Sequence, residues 1–441
     1  MDLETPVKIQ KLQEALHAKA KASPGYRFYL LYDKVYRADI LRFAWERCRD
    51  NGGVSGVDGQ TFKDIAAYGV DRWLDELTQA LRTKTYRPEA LRRGWSPKPD
   101  GSKRPLGIPT IRDRVVQTAL LLVLDPIFEA DLQPEQYAYR PGRGALDAVQ
   151  RVVKLLHAGH REVVDADLSG YFDSIPHAEL MKSVARRISD RHVLHLIKMW
   201  IQAAVEEEDE RGRKRRTTVN KDTGRGTSQG SPISPLLSNI YMRRFVLGWK
   251  TLGYERKFMA CIVNYADDFV ICCRGTAQQA MAAMRDMMTR LKLAVNESKT
   301  RICKLPEEPF NFLGYTIGLC YSGKRQCLYL GTRPARKAIA KLCAALHERT
   351  RRCWIDVETK QMVYQLNSRL SGWANYFRLG SVSKAYRIVD AYVRDRMRQW
   401  LRWKHKLPRR DYTRFTKQYL YEELGLIELA PRTRSLPWAT A

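Results

Sequence analysis

Three aspartates at the ends of apolar runs are the residues of this 441-residue chain best placed to do chemistry. Asp267 and Asp268 interrupt FMACIVNYADDFVICC (258–273), which otherwise reads as two buried strands meeting at a turn. Asp167 lies at the end of EVVDADL (162–168), another short apolar strand. Burying a carboxylate is costly unless something pairs with it, and neighbouring carboxylates repel unless a cation lies between them. A β-hairpin tipped by Asp267–Asp268, lying beside the strand that ends at Asp167, gathers three acids, and an oxygen-only cluster suits Mg²⁺. Two such ions can activate an attacking hydroxyl and stabilise a leaving pyrophosphate, which is the chemistry of nucleotidyl transfer. The plain alternative is an Asp-Asp turn open to solvent. Asp165 shares a strand face with Asp167, and Asp173 reads as a cap for the helix that follows.

The remainder of the chain has to position these acids and bring them a substrate. Lys and Arg number 77 against 48 Asp and Glu, a net charge of +29 that makes a polyanion the expected partner. About half of that excess lies beyond Gly331, where 24 basic residues face 9 acidic ones and five of the ten Trp occur. Basic residues interleaved with aromatics suit phosphates and unpaired bases together. No apolar run reaches the roughly 18 residues of a membrane span. The N-terminus has no signal-peptide core, and the nine scattered Cys suggest reduced thiols, so a cytoplasmic, nucleoid-associated protein is expected.

Periodicity predicts helices in residues 1–50, over 71–82, over 111–130, after Pro176, over 277–293 and through most of the basic C-terminal quarter. WSPKPDGSKRPLGIPT (95–110) reads as a Pro/Gly-punctuated segment, and EEEDERGRKRRTTVNKDTG (206–224) as a solvated hairpin or loop. TSQGSPISPLLSNIYMRRFV (227–246) reads as a loop into a helix, with Ser231 as N-cap and Pro232 at the first helical position. FNFLGYTIG (310–318) and QCLYLGT (326–332) read as two strands joined by a hairpin. The order is an α-rich start, an α/β middle and a helical, basic end.

RPLGIPTIRDRVVQ, DLSGYFDSI, GTSQGSPISPLLSNIYM, YADD, KTRIC and FNFLGY occur here in the order found in reverse transcriptases. From about Tyr29 to about Tyr419 the chain resembles the reverse transcriptases encoded by bacterial group II introns, also called intron maturases. The resemblance implies an α+β right-hand polymerase. Residues 1–95 would form a helical extension and the start of the fingers, 96–335 the fingers and palm, 336–425 the thumb or maturase domain, and 426–441 a tail. It assigns Asp167, Asp267 and Asp268 as the acids that hold two Mg²⁺ ions, with the backbone carbonyl of Leu168 as a further ligand. Asp268 would be the least direct of the three.

The same resemblance places Lys98 and Arg104 of PKPDGSKRPLGIP over the triphosphate of an incoming dNTP, with Lys103 as the neighbouring alternative to Lys98. A fixed cation there is what a triphosphate needs. Of the aromatics that follow Asp167, Phe172 is the expected gate against a 2′-hydroxyl and Tyr171 the alternative. Gln229 and Gly230 match the loop beneath the nucleotide, where Gln offers both donor and acceptor and Gly permits close backbone approach. Phe312, Leu313 and Gly314 match the segment that grips the DNA primer, although a hydrophobic strand with a Gly bulge describes the same stretch.

LSGWANYFRLG (370–380) resembles the maturase signature, a helical thumb that also grasps group II intron RNA. Arg378, Lys384, Arg387, Arg394, Arg398, Arg402 and Lys404 would supply phosphate contacts, while Trp373, Tyr376 and Phe377 read as helix packing. The scarcity of Cys and His beyond Cys353 argues against a His/Cys nuclease, so any mobility is expected to use single-stranded or replication-associated target DNA. The leading reading is an RNA-dependent DNA polymerase that binds its intron RNA and assists splicing. The alternatives are a splicing cofactor with a vestigial polymerase, or a domesticated enzyme of phage defence or a CRISPR system.

Overall fold

The computed structural model describes residues 3–97, 101, 103–209, 211–322, 326–408 and 414–436. Its strands are β1 (Leu91–Pro97), β2 (Lys103–Ile108), β3 (Glu162–Asp167), β4 (Val205–Glu208), β5 (Lys214–Thr217), β6 (Ala260–Tyr265), β7 (Asp268–Cys273), β8 (Arg301–Lys304), β9 (Phe310–Phe312), β10 (Tyr315–Ser322) and β11 (Cys327–Pro334). They form three sheets, ordered β2-β1-β4-β5, β6-β7-β3-β8 and β11-β10-β9. Helices make up most of the rest, so the α+β class read from the sequence is the class observed.

The middle sheet is antiparallel throughout and covered on both faces. Val164, Ala166, Ile262, Phe269 and Ile271 point into one core with the helices Ser234–Thr251 and Ala277–Arg290. Val163, Val263, Val270, Cys272 and Cys303 point into a second, beneath the helix Ala145–His157 and the β9–β10 hairpin. Burial on both sides is why FVICC is apolar without alternation. Side chains alternate along a strand, so Asp167, Asp165 and Asp268 share the face of Val163 and Val270, at its open end.

The N-terminal 90 residues add to the first core and build no separate one. Arg187, fully buried, donates to Ala20 O at 2.7 Å and to Ser23 O at 3.0 Å. A guanidinium there satisfies the last carbonyls of the helix Val7–Ala22 and complements its dipole. Asp190 accepts from the N–H groups of Leu31 and Tyr32, and from those of His192 and Val193 at the start of the helix Arg191–Ile201.

Three sequence expectations need correction. Residues 95–110 span parts of an antiparallel hairpin, with Arg104 opposite Ser96 and Lys103 opposite Pro97. Pro97 and Pro105 lie where β1 pairs with β2 alone, beyond the Leu91–Arg92 contact with β4, and a free outer edge tolerates a missing N–H. The helix expected at Pro232 starts at Ser234, with Pro235 in its first turn. Residues 310–318 form two strands, because Leu313 and Gly314 both take left-handed conformations and make a two-residue hairpin turn.

The helices Arg336–Arg349, Thr359–Tyr376 and Ser383–Lys404 close around Leu346, Leu366, Leu370, Val389, Val393, Met397 and Trp400, all fully buried. Leu420, Leu426 and Leu429 join this core, and Asp390 accepts from the N–H groups of Leu429 and Ala430, each at 2.8 Å. The bundle meets β11 at Gly380, where Ser381 N–H donates to Thr332 O. Gly380 has φ +70°, and a Cβ there would lie 2.3 Å from Thr332 O. Gly380→Ala is therefore expected to cost about 2–4 kcal/mol, left-handed strain plus overpacking. A lowered thermal midpoint of the whole chain checks this, and an unchanged midpoint contradicts it.

Candidate active site

Strand register brings the acids together. β3 pairs with β7 so that Asp167 lies opposite Asp268, and β6 pairs with β7 so that Tyr265 closes a two-residue turn of Ala266 and Asp267. Ala266 has φ +56°, a conformation that costs a non-glycine residue about 1–3 kcal/mol. Asn264, fully buried, secures it by donating to Ala266 O at 2.8 Å. The backbone around Asn264 is fixed in turn by Glu135 O, which accepts its N–H, and by Tyr137 N–H, which donates to its carbonyl.

Burial pushes the Asp268 carboxyl up to about 7, with Asp267, Asp167 and Asp165 adding in that order. Asp268 keeps a solvent-facing side, which screens part of the repulsion. Asp267 is also raised, first by burial, with Asp167 adding to it and Arg104 and Lys299 opposing. Asp165, raised to about 6 by burial, sits 3.8 Å from Arg301. Lys299 Nζ lies 2.8 Å from Asp167 Oδ2, which Asn296 Nδ2 also approaches at 3.2 Å. Leu168 forms an isolated bridge with Val295, and the next residue, Ser169, donates its N–H to Ala294 O.

Among the described residues, no three His, Cys, Asp or Glu side chains converge tightly enough to enclose an ion. The strand register thus brings the acids to one end of the sheet, where Lys299 pairs with Asp167. The donor set is nevertheless hard oxygen, and its acids disfavour one another's charge, which fits a divalent cation.

Beside the acids opens a cavity of ≈ 590 Å³ whose lining includes Ser96, Arg104, Tyr139, Phe172, Gln229 and Gly230. Four of the five residues expected around the nucleotide thus share one wall system. The fifth, Lys98, lies outside the described residues. Tyr171 points into the core and donates to Ser238 O at 2.7 Å, which leaves Phe172 as the one of the two adjacent aromatics that lines the cavity.

The Gln229 loop is bonded on both sides. Toward the palm, Thr227 N–H donates to Phe172 O at 2.7 Å and Gly226 N–H to Ile175 O at 2.9 Å, while His177 Nε2 lies 2.7 Å from Gly226 O. Toward the fingers, Gly107 N–H donates to Gln229 O at 2.8 Å and Ser228 Oγ to Gly107 O at 3.1 Å. A Cβ at Gly230 would lie 2.9 Å from Gly107 O, and its φ is +116°, so this close approach requires glycine. Gln229 Nε2 is 3.5 Å from an Asp173 carboxylate oxygen, a contact that cap logic for Asp173 did not foresee.

Phe312 closes the Leu313–Gly314 turn opposite Tyr315. Tyr376 Oη donates to Leu313 O at 2.8 Å, and a Cβ on Gly314 would come within 3.2 Å of the Phe377 ring. The start of the bundle thus rests on that turn, with Trp373, Tyr376 and Phe377 packed together as the sequence suggested. Lys384, Arg387, Arg394, Arg398 and Arg402 recur at helical spacing along Ser383–Lys404. Arg378, Lys384 and Arg387 are exposed, whereas Arg398 donates to Phe415 O and Lys404 to Ile355 O and Val357 O. Those two are committed to holding the bundle together.

The sequence reading left Lys299, Asn264 and Tyr139 without roles. Lys299 stood in the quoted KTRIC, but nothing in its spacing or in that of Tyr139 tied either to the acids.

An antiparallel sheet carrying paired acids at one end, capped by a basic hairpin and followed by a helical bundle, defines a nucleotidyl-transferring right-hand fold. Residues 96–317 match the family model described as reverse transcriptase (RNA-dependent DNA polymerase), and residues 339–420 the group II intron maturase-specific domain. Protein YkfC of Escherichia coli K12 is 30% identical over 367 residues, covering 75% of this chain and 93% of that protein. The group II intron-encoded protein LtrA of Lactococcus lactis is 26% identical over 440 residues, covering 80% and 71% respectively. The nuclear intron maturase 2 of Arabidopsis thaliana is 35% identical over 111 residues, 25% of this chain and 15% of that protein. The chain belongs to the reverse transcriptases, in the group that carries the group II intron maturase domain, and is an RNA-directed DNA polymerase. No helix among the described residues is long and apolar enough to cross a membrane.

A carboxyl whose folded value is raised stabilises the fold when protonated, and that contribution is lost as pH climbs from its unfolded range of about 4 toward 7. Asp268→Asn removes the charge. In metal-free buffer it is expected to unfold at a higher temperature than the wild type at pH 8, with the gap narrowing toward pH 5. Equal melting curves at pH 8 would contradict the repulsion described.

Proposed function

We propose that the site extends a DNA primer on an RNA template with dNTPs, using two Mg²⁺ ions, and that the template includes the intron RNA that the basic bundle binds. The single observation that carries this reading is the register that sets Asp167 opposite Asp268, with Asp267 in the adjoining turn, beside a cavity lined by Arg104, Phe172, Gln229 and Gly230. Asp167, Asp267 and Asp268, with the Leu168 carbonyl, would hold the metal. Bound there, the ions supply activation of the primer hydroxyl and charge neutralisation at the leaving pyrophosphate.

The chain's own groups do the positioning. Arg104 on the fingers hairpin meets the triphosphate, and its permanent charge suits a polyanion. Lys98, which follows β1 in the sequence, is assigned the companion role. Phe172 fills the space a 2′-hydroxyl would need, and its backbone is held by Thr227, so the gate and the Gln229 loop keep a fixed spacing. Phe312, Leu313 and Gly314 hold the primer end, backed by Tyr376 and Phe377. Arg378, Lys384 and Arg387 make the phosphate contacts to intron RNA that support splicing, with Arg394 and Arg402 further along the same stripe, while Arg398 on that stripe holds the bundle.

Primer extension on an annealed RNA template, with Mg²⁺ and dNTPs, tests the reading directly. Asp267→Ala is expected to lose DNA synthesis and to keep RNA affinity within about twofold, because it removes a metal ligand and no phosphate contact. Loss of RNA binding in that variant would break the division of labour. Phe172→Ala is expected to raise ribonucleotide use relative to deoxyribonucleotide use by about tenfold or more, a side-chain packing discrimination, measured as the ratio of kcat/KM values.

A further inference from the structure

The loop before the helix Ala145–His157 presents one residue in a way that packing does not explain. Tyr139 is half exposed, yet it lines the cavity with Arg104, Phe172 and Gln229. Its φ is +56°, the left-handed region that a bulky side chain avoids. Strain of that kind persists only where the surroundings over-determine the backbone, and here they do on both flanks. Asn239 Nδ2 donates to Ala138 O at 2.7 Å. Arg140, its side chain almost wholly buried, pairs with Glu129 at 2.6 Å and donates to Gln133 O and Gln136 O, each at 2.7 Å. One turn earlier, the loop lies along β6 through Tyr137 N–H to Asn264 O, the same Asn264 that fastens the Ala266–Asp267 turn.

So Tyr139 is pushed outward from a rigid frame shared with the acids. Burial raises its phenol above the ordinary value, and Asp267 is the strongest charged neighbour, followed by Tyr265, Arg104 and Asp268. The ring thus lines one cavity with Arg104, proposed above to meet the triphosphate, and with Phe172, proposed above to face the 2′ position. The part of the nucleotide within reach of both aromatics is its sugar. Among the described residues, Tyr139 Oη has no hydrogen-bond partner of its own.

We infer that Tyr139 is a specificity-determining residue of the polymerase site, its ring packing on the sugar of the incoming nucleotide across from Phe172 and its hydroxyl bonding the 3′-hydroxyl. This rests on the nucleotide reading of the cavity given above. The wild-type chain serves as the control that separates the two. A wild type unable to extend a primer fails the earlier reading, whereas an active wild type indifferent to Tyr139 fails this one alone.

The test is single-nucleotide extension by the full chain with a dNTP and the matching 2′,3′-dideoxynucleotide. Tyr139→Phe is expected to raise KM for the dNTP about three- to tenfold, the worth of one neutral hydrogen bond, and to leave KM for the dideoxynucleotide unchanged. Tyr139→Ala is expected to raise KM for both, with kcat within about threefold. Tyr139→Gly relieves the left-handed strain, so it is expected to melt no lower than the wild type while showing the same KM defect. Unchanged KM in Tyr139→Ala overturns the inference. So does a Tyr139→Gly variant whose melting temperature falls together with its activity, because that marks a merely structural side chain.

Discussion

Strand register does the central work in this molecule. Antiparallel pairing of β3 with β7 forces Asp167 and Asp268 to face each other, and the two-residue turn leaves Asp267 no option but to stand beside them. A slip of one residue would send Asp268 to the opposite face of the sheet. Two cores, one on each side of the sheet, oppose that slip, since it would exchange Phe269 and Ile271 with Val270 and Cys272 between two differently packed interiors. The hydrophobic effect thus holds like charges together against their repulsion. The cost appears in the raised carboxyls of Asp165, Asp267 and Asp268, and it is offset locally by Lys299 and Arg301.

That repulsion turns the chain's charge into a coherent design. A cluster of acids would repel a nucleic acid, but the chain around it carries a net +29. Arg104 stands on one side of the acids and the stripe of Lys384 and Arg387 on the bundle. The long-range field attracts a polyanion, while the local field at the sheet's end attracts small divalent cations. The two fields draw different ligands to adjoining places.

Much of this was legible in the sequence because it rests on short-range rules. Apolar runs ending in Asp named β3 and the β6–β7 hairpin, and six ordered motifs carried the family. The parts that escaped depend on tertiary placement. The fingers hairpin was hidden because its strands contain Pro97 and Pro105 and little β-branched character. The turn at Leu313 reads as strand interior until a left-handed leucine is seen. Lys299 reaches Asp167 across 132 positions of sequence, a distance no local pattern encodes. Arg398 and Lys404 looked free because their carbonyl partners lie at the ends of other segments. Which of two adjacent aromatics enters the core, Tyr171 or Phe172, was settled by a carbonyl at Ser238 that only Tyr can satisfy.

Gly107 offers both its N–H and its carbonyl to the Gln229 loop, and that loop in turn grips the backbone of Phe172. Fingers, loop and the Phe172 backbone therefore form one continuous mechanical linkage. Any swing of the fingers away from the palm must break two hydrogen bonds at a single glycine or carry the loop with it. The width of the cavity at Phe172 and the position of the fingers are, in consequence, the same coordinate.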